Sequence, residues 1–398
     1  MGVKFCSNKR YIFPIAAGQP VIYDATNFKR PHRIALLQKL AKHENVYWVA
    51  LQVQTPVERC KIWNQQRQRQ VPEPVIESMA QYLETFPLIP AEGFAAVYPV
   101  APTTEDLQLQ SSATLARAIT NRKNRTKNIT IHRYSRLLDF ERLMHLIALL
   151  IRYPGIGNLQ ETSPQTLQRI LGTSPSYGSD LEEICALISH FHTSVYADSQ
   201  EVAADLAFLD NSGMLGVFQA DFDIPDTEYN GDRNMLVAHA YSDLNAFVQL
   251  LKTIRYIAQY PFLRAKQKNL ELLLAGLKAH EIYTCRDTLR KDIELALKPY
   301  KILLDKPMRR GYFLGTGILA KHELKEVFKV LQSQAESLED PIAIEIYQAS
   351  NCLAYTQPER SLKLPFLSFN LLLSGLISRT WLLIHKVQVS CHFQWLLN

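Results

Sequence analysis

Residues 284–315 read TCRDTLRKDIELALKPYKILLDKPMRRGYFLG. Thr284 can cap a helix, and Asp287 stands three positions on, so a helix is predicted to begin there. Leu289, Ile293 and Leu297 recur every four residues and predict a buried stripe. Arg286 and Arg290 share another face, with Thr288 and Lys291 beside it. Asp287 and Lys291 are spaced to pair along the helix, and Pro299 ends it. Pro307 to Leu314 is a short basic segment with an apolar-aromatic end, which fits a β-hairpin. Helix, turn, basic helix and basic hairpin is the layout of a winged helix-turn-helix. Such a helix can lie in a major groove and present arginine to guanine edges, while a hairpin with two arginines holds flanking phosphates. The competing reading is a plain solvated face.

Upstream, the chain repeats itself weakly. Leu143 to Pro154 aligns with Leu250 to Pro261 through Leu143/Leu250, Ile147/Ile254, Leu150/Ile257, Tyr153/Tyr260 and Pro154/Pro261. Further on, Ala204-Asp205-Leu206 falls opposite Lys291-Asp292-Ile293. Two similar helical units are expected, at 137–217 and 239–320, around an acidic linker at 218–238. Charge separates them. Residues 137–217 carry three Lys/Arg and ten Asp/Glu; residues 239–320 carry fourteen and seven. A polyanion is therefore expected to meet the second unit. The first has Ala203-Ala204 where the second has its basic pair, and reads as a packing or dimerising copy.

Thr288-Leu289-Arg290-Lys291-Asp292-Ile293, then Gly311-Tyr312-Phe313-Leu314, then Glu323-Leu324, resemble the N-terminal half of WYL-domain transcription regulators, in the bacterial branch with a long helical section. The resemblance covers about residues 137–346. It implies that Arg286, Thr288, Arg290 and Lys291 face double-stranded DNA, that Arg309, Arg310 and Tyr312 lie in the wing, and that the protein is a homodimer reading two half-sites. The Trp-Tyr-Leu run that names the family does not occur here. Residues 321–347 are expected as connecting helices. Residues 348–398 read as an irregular tail, truncated or frame-shifted in place of the ligand-sensing barrel.

The first hundred residues alternate strand and helix patterns: Val21-Ile22-Tyr23, a helix from Pro31 with Ile34, Leu36, Leu37 and Leu40, a strand Val46 to Val53, a helix from Thr55-Pro56-Val57-Glu58 with Thr55 as cap, a helix about Pro74 to Leu83, and a strand Ala95 to Val100. That alternation predicts a parallel sheet. Asp24, Asn27, Arg30, Arg33, Thr55-Pro56, Asn64-x-x-Arg67-x-Arg69, Val71-Pro72-Glu73 and Glu92-Gly93-Phe94 resemble the polynucleotide-kinase-like group of AAA-type P-loop kinases, over about residues 15–100. The resemblance implies Asp24 near a phosphoacceptor or magnesium, with Asn27 beside it, and Arg67 and Arg69 as lid residues on ATP phosphates. The G-x-x-x-x-G-K-[ST] cradle of that family is not found, and it is expected upstream of where the chain starts. Phosphoryl transfer depends on positioning, so Asp24, Asn27, Arg67 and Arg69 are read as vestigial, with no catalytic residue and no cofactor.

Composition excludes little else. With 47% hydrophobic and 21% charged residues, the chain is neither wholly disordered nor fibrous. The net charge of +6 is too small to name a partner. Six cysteines without a C-x-x-C pair indicate neither a disulfide framework nor a zinc site and suggest a cytoplasmic protein. No signal pattern or membrane-length apolar run is read. Arg117, Arg122, Lys123, Arg125, Lys127, Arg133 and Arg136 form a basic connector within 101–136. His190 and His192, near Cys185, are read as surface residues, and Asp221, Asp223, Asp226, Glu228 and Asp232 as a solvated spacer lacking a calcium-loop pattern. The expected fold is therefore an incomplete α/β kinase-like half-domain (1–100) followed by mostly α tandem winged helix-turn-helix units. The expected function is DNA-binding transcription regulation. The alternatives are an ATP-dependent kinase acting on a nucleic-acid end or small molecule, or a non-functional truncated product.

Overall fold

The computed structural model describes residues 4–5, 21–23, 26–40, 46–101, 114, 116–121, 128–153, 155–162, 164–173, 175–215, 228–229, 231, 233, 236–259, 269–303 and 333. The chain divides into two compact units, Met1–Glu141 with Thr227–Ala246, and Arg142–Asp226 with Phe247–Asn398. No helix among the described residues is long and apolar enough to cross a membrane.

The first unit contains the α/β elements. Strand β1 (Lys4–Phe5) pairs in parallel with β2 (Val21–Ile22), and β3 (Val49–Val53) pairs in parallel with β4 (Ala96–Val100). Helix α1 spans Arg30–Leu40, α2 Val57–Gln65 and α3 Glu73–Thr85. The parallel pairing follows the strand-helix alternation. Strand β1 was not anticipated, and the second predicted strand begins three residues late. Helix α2 starts at Val57, with Pro56 rather than Thr55 at the cap position and no side-chain cap. The Glu58 carboxylate accepts from Lys61 Nζ at 3.2 Å instead of reaching back to the cap amide.

Helix α1 buries Ile34 and Leu37 as the periodicity predicts. It also buries Arg30 and Arg33, which periodicity does not predict. Arg33 donates through Nε and Nη2 to the two oxygens of Glu92, at 2.6 and 2.9 Å, and through Nη1 to the carbonyls of Asn27 and Phe28. Arg30 donates to Glu92 at 3.1 Å, to Glu141 at 2.8 Å and to the Pro87 carbonyl at 2.7 Å. All four charged groups are buried. Buried carboxylates persist only where cations and hydrogen bonds replace their lost hydration. The two guanidinium forks supply both, and so tie α1 and the 86–92 segment to Glu141.

Next to this network the chain makes a reciprocal clasp. His132-Arg133-Tyr134-Ser135 and His239-Ala240-Tyr241-Ser242 spell H-x-Y-S twice, and Ser135 and Ser242 lie 107 positions apart. His132 Nε2 donates to the Tyr241 carbonyl at 3.1 Å, and His239 Nε2 donates to the Tyr134 carbonyl at 3.3 Å. The Nδ1 atoms accept from the amides of Tyr134 and Tyr241, which sets the neutral tautomer of both rings. Ser135 Oγ donates to the Ser242 carbonyl at 2.7 Å, and Ser242 Oγ donates to the Ser135 carbonyl at 2.6 Å. Each serine also accepts the amide of its own histidine, at 2.8 Å. Phe140 stacks on Tyr241 and packs against His239.

The second unit is helical. Helix α4 (Leu137–Arg152) crosses the division. It is followed by α5 (Leu159–Thr162), α6 (Pro164–Leu171), α7 (Asp180–Phe191) and α8 (Ser199–Asn211), then by α9 (Leu244–Gln259), α10 (Asn269–Ala279) and α11 (Arg286–Asp292), which continues into a π-helical turn at Ile293–Leu297. Arg142 on α4 grips Asp205 on α8 through Nε and Nη2, at 2.6 and 3.2 Å, and reaches Glu201 at 3.0 Å. Buried Glu183 accepts the amides of Gly157, Leu159 and Gln160. That closes the turn before α5 over the core of Leu159, Leu167 and Leu187. His190 is exposed, but His192 is half-buried and stacks on the buried His145 at 3.7 Å, where a surface position was expected. The histidines diverge because His192 is the C-cap residue of α7 and leaves the helical backbone there.

Two outcomes are expected. First, burial holds the pKa of both His132 and His239 down, to about 4. A depressed histidine stabilises the fold above its unfolded pKa of about 6.5, and that contribution is lost as pH falls toward the folded value. Stability measured by urea unfolding should therefore fall between about pH 6.5 and 4, by up to about 3 kcal/mol per histidine. A flat profile there would contradict the clasp. Second, Arg30→Met strands buried carboxylates and should cost about 3–5 kcal/mol. Adding Glu141→Gln should recover part of it, and strict additivity in that double-mutant cycle would show that the two do not interact.

Candidate nucleic-acid interface

The basic helix sits where the sequence puts it, with its start displaced by one residue. Helix α10 ends in a Schellman turn: the Glu281 amide donates to the Lys278 carbonyl and the Ile282 amide to the Leu277 carbonyl. Glu281 occupies the left-handed position at φ 60°, where glycine is preferred. Gly276 lets α10 close on α9, since a Cβ there would overlap the Tyr256 ring. The chain then runs through Tyr283 into α11. The cap is Cys285, whose sulfur accepts the Thr288 amide at 3.5 Å. Thr284 does not cap; its buried hydroxyl has no partner among the described residues. The bonds from Thr288 pull the Cys285 thiol below its ordinary pKa.

On α11, Leu289, Asp292 and Ile293 are buried, as are Ala296 and Leu297 in the turn that follows. Arg286, Thr288, Arg290 and Lys291 are all exposed. The predicted apolar stripe is therefore in the core and the predicted basic residues face out. Asp287 pairs loosely with Arg290, at 3.8 Å between exposed groups, rather than with Lys291. A pair that open contributes little and gives way readily to a stronger anion. Arg286 and Lys291 have no ion pair among the described residues. Thr288 Oγ1 lies 3.1 Å from Cys285 Sγ, so its hydroxyl serves the cap. The expected wing residues Arg309, Arg310 and Tyr312 lie outside the described residues, as do residues 321–347 (Ser333 apart) and 348–398.

The kinase-like residues separate into two groups. Asn64 is buried; its Nδ2 donates to the Val71 carbonyl and its Oδ1 accepts the Val71 amide, each at 2.8 Å. That brace carries the segment holding Arg67 and Arg69, both exposed. Asn27 takes φ 38°, with its carbonyl bound by Arg33. Asp24 lies outside the described residues. Among those described, no cradle for phosphates is assembled: Arg30 and Arg33 are committed to carboxylates, and Arg67 and Arg69 stand in solvent.

Of the basic connector, Arg122 to Lys127 lie outside the described residues, and Arg117 is exposed. Arg136 forks onto Asp139 at 2.7 and 2.8 Å.

Residues 8–86 match the AAA domain family. The matched segment is the kinase-like start of the chain, and it contains the buried arginines, Asn64 and the exposed pair Arg67 and Arg69. No curated protein and no solved structure matches the chain.

Sequence reasoning missed the two H-x-Y-S tetrads. The signal was present: identical residues at the same spacing as the helical repeat. It also missed that Tyr283 is 72% exposed beside the cap of α11. Glu281→Gly is expected to stabilise the second unit by about 0.5–1 kcal/mol by relieving the left-handed backbone, read as a raised thermal midpoint; a lowered midpoint would contradict the turn geometry.

Proposed function

We propose that the protein is a DNA-binding transcription regulator of the WYL type, in which the second helical repeat contacts double-stranded DNA through α11. One observation carries this reading: α11 buries its apolar stripe and leaves Arg286, Arg290 and Lys291 exposed together. A short helix so divided fits a major groove, with arginine placed for guanine edges. The charge asymmetry supports it. In the first repeat the matching helix α8 presents Ala203 and Ala204, and its cap is Asp198, an acid unfavourable for phosphate. Helices α10 and α11, joined by the Schellman turn, serve as the helix-turn-helix pair.

A second reading rests on the AAA domain match at residues 8–86. Under it the start of the chain binds magnesium-ATP and transfers phosphate to a nucleic-acid end or a small molecule. The placement of the arginines favours the first reading.

The test is selection of bound DNA from a random pool by the full chain, followed by titration of variants. Arg290→Ala should weaken the selected site by about 1–3 kcal/mol and relax one base position, whereas Lys291→Ala should weaken all sequences alike and lower the salt slope by about one. Wild-type affinity for both variants overturns the assignment to α11. Tight magnesium-ATP binding by the same preparation would move the choice to the kinase.

A further inference from the structure

Helices α8 and α11 occupy equivalent places in the two repeats, and hydrogen bonds set their alignment residue by residue. At the start, Asp198 accepts the amide of Glu201, and Cys285 accepts the amide of Thr288. Val202 and Leu289 follow, both fully buried, then Asp205 and Asp292, both buried. At the far end, the Ser212 amide donates to Phe208 and the Gly213 amide to Asp210. In the second repeat, Tyr300 donates to Ala296 and Lys301 to Lys298. Gly213 and Lys301 take the same left-handed backbone, at φ 65° and 59°.

These two ends do not keep the same spacing. Fourteen positions separate Asp198 from Ser212, and fifteen separate Cys285 from Tyr300. The second repeat has one residue more, and it is absorbed by the π turn, in which the Lys298 amide reaches back five residues to the Ile293 carbonyl at 3.0 Å. Burial narrows the extra residue to Glu294 or Leu295, two adjacent exposed positions where α8 has one. Leu206 to Leu209 run half-buried, exposed, buried, buried; Ile293 to Leu297 run buried, exposed, exposed, buried, buried. Of these two exposed positions, Leu295 is the apolar one.

The π turn thus keeps Leu297 in the core, fully buried, while turning Leu295 outward to 53% exposure. Leu295 stands one turn beyond Lys291, on the side of the helix that carries Arg290 and Lys291. Among the described residues of the second unit, the exposed large apolar side chains are Leu295 and Tyr283, and they bracket α11. An insertion that costs helical regularity to display a leucine is the kind of local irregularity found at working surfaces. Between residues 278 and 301 there are six Lys/Arg and four Asp/Glu, one of which, Asp292, is buried. That balance suits a phosphate-lined partner, and the apolar group such a partner offers in its major groove is the C5 methyl of thymine.

We infer that Leu295, extruded beside Lys291 by the π turn, is a specificity-determining residue that packs against a thymine methyl in the bound duplex. The inference rests on the DNA-binding reading of α11 and adds to it a base preference that the charged residues do not provide. Leu295→Ala shortens the contact. Deleting Leu295 returns the helix to the length of α8, which forms without the extra residue.

The experiment replaces, one at a time, each thymine of the selected site by deoxyuridine, which removes only the methyl group. Affinities are measured for the full wild-type chain, Leu295→Ala, the deletion and Arg290→Ala, with a circular-dichroism melt of each. At one thymine the wild type should lose about three- to fivefold, the worth of one methyl. Both Leu295 variants should show no loss there, while Arg290→Ala keeps the methyl sensitivity at lower overall affinity. If the deletion fails to fold, Leu295→Ala decides alone. Equal deoxyuridine losses in wild type and Leu295→Ala at every thymine overturn this inference and leave the DNA reading intact. No DNA binding by the wild type, or an unchanged Arg290→Ala, removes both. If Leu295→Ala alters sedimentation of the free protein and not the methyl sensitivity, the residue meets a second copy of the chain and the inference fails.

Discussion

A carboxylate as deeply buried as Glu141 cannot stand alone in a protein interior, and Arg30 is the cation that accompanies it. The consequences run through the first unit. Because Arg30 also serves Glu92, and Glu92 also serves Arg33, helix α1, the segment from Phe86 to Glu92 and the start of α4 are held by one shared set of charges. No member can leave without stranding another in a medium that solvates ions poorly. The same logic governs the adjoining clasp. Each imidazole there is neutral because one nitrogen must donate to a carbonyl and the other must accept an amide; a second proton would face an N–H. Charge matching and tautomer matching hold the unit alongside a buried core that includes Ile34, Leu37, Phe86, Leu137 and Phe140.

Within the first unit the kinase-like segment is paired with Glu141 through Arg30. Residues 8–86 match the AAA domain family, yet in that segment Arg30 is paired with Glu141 and Arg33 with Glu92. Arg30 and Arg33 are committed to the chain's own carboxylates. Arg67 and Arg69 remain exposed on a segment braced by Asn64.

The two helical repeats show how one scaffold supports opposite surfaces. Their caps, buried aspartates and left-handed ends correspond, while α11 continues into a π turn that α8 lacks. The outward positions diverge: alanines in α8, arginine and lysine in α11, and one additional exposed position. Inward positions are constrained by packing density and tolerate little change in volume. Outward positions are free to follow function, and the difference between the repeats is concentrated there.

Much of this was legible in the residues. The period of Leu289, Ile293 and Leu297 located the buried side of α11 and hence its basic side. Strand-helix alternation announced parallel pairing. These are local patterns, and local stereochemistry dictates them. The cap at Cys285 in place of Thr284, the Asp287–Arg290 pair and the π turn depend on how the helix is seated, which no spacing rule contains. The burial of Arg30 and Arg33 and the reciprocal clasp of His132 with His239 join residues more than fifty positions apart. Sequence by itself determined the elements, their faces and the distribution of charge. Only tertiary structure decided which charges face water, because desolvation and ion pairing are properties of the neighbours that folding brings together.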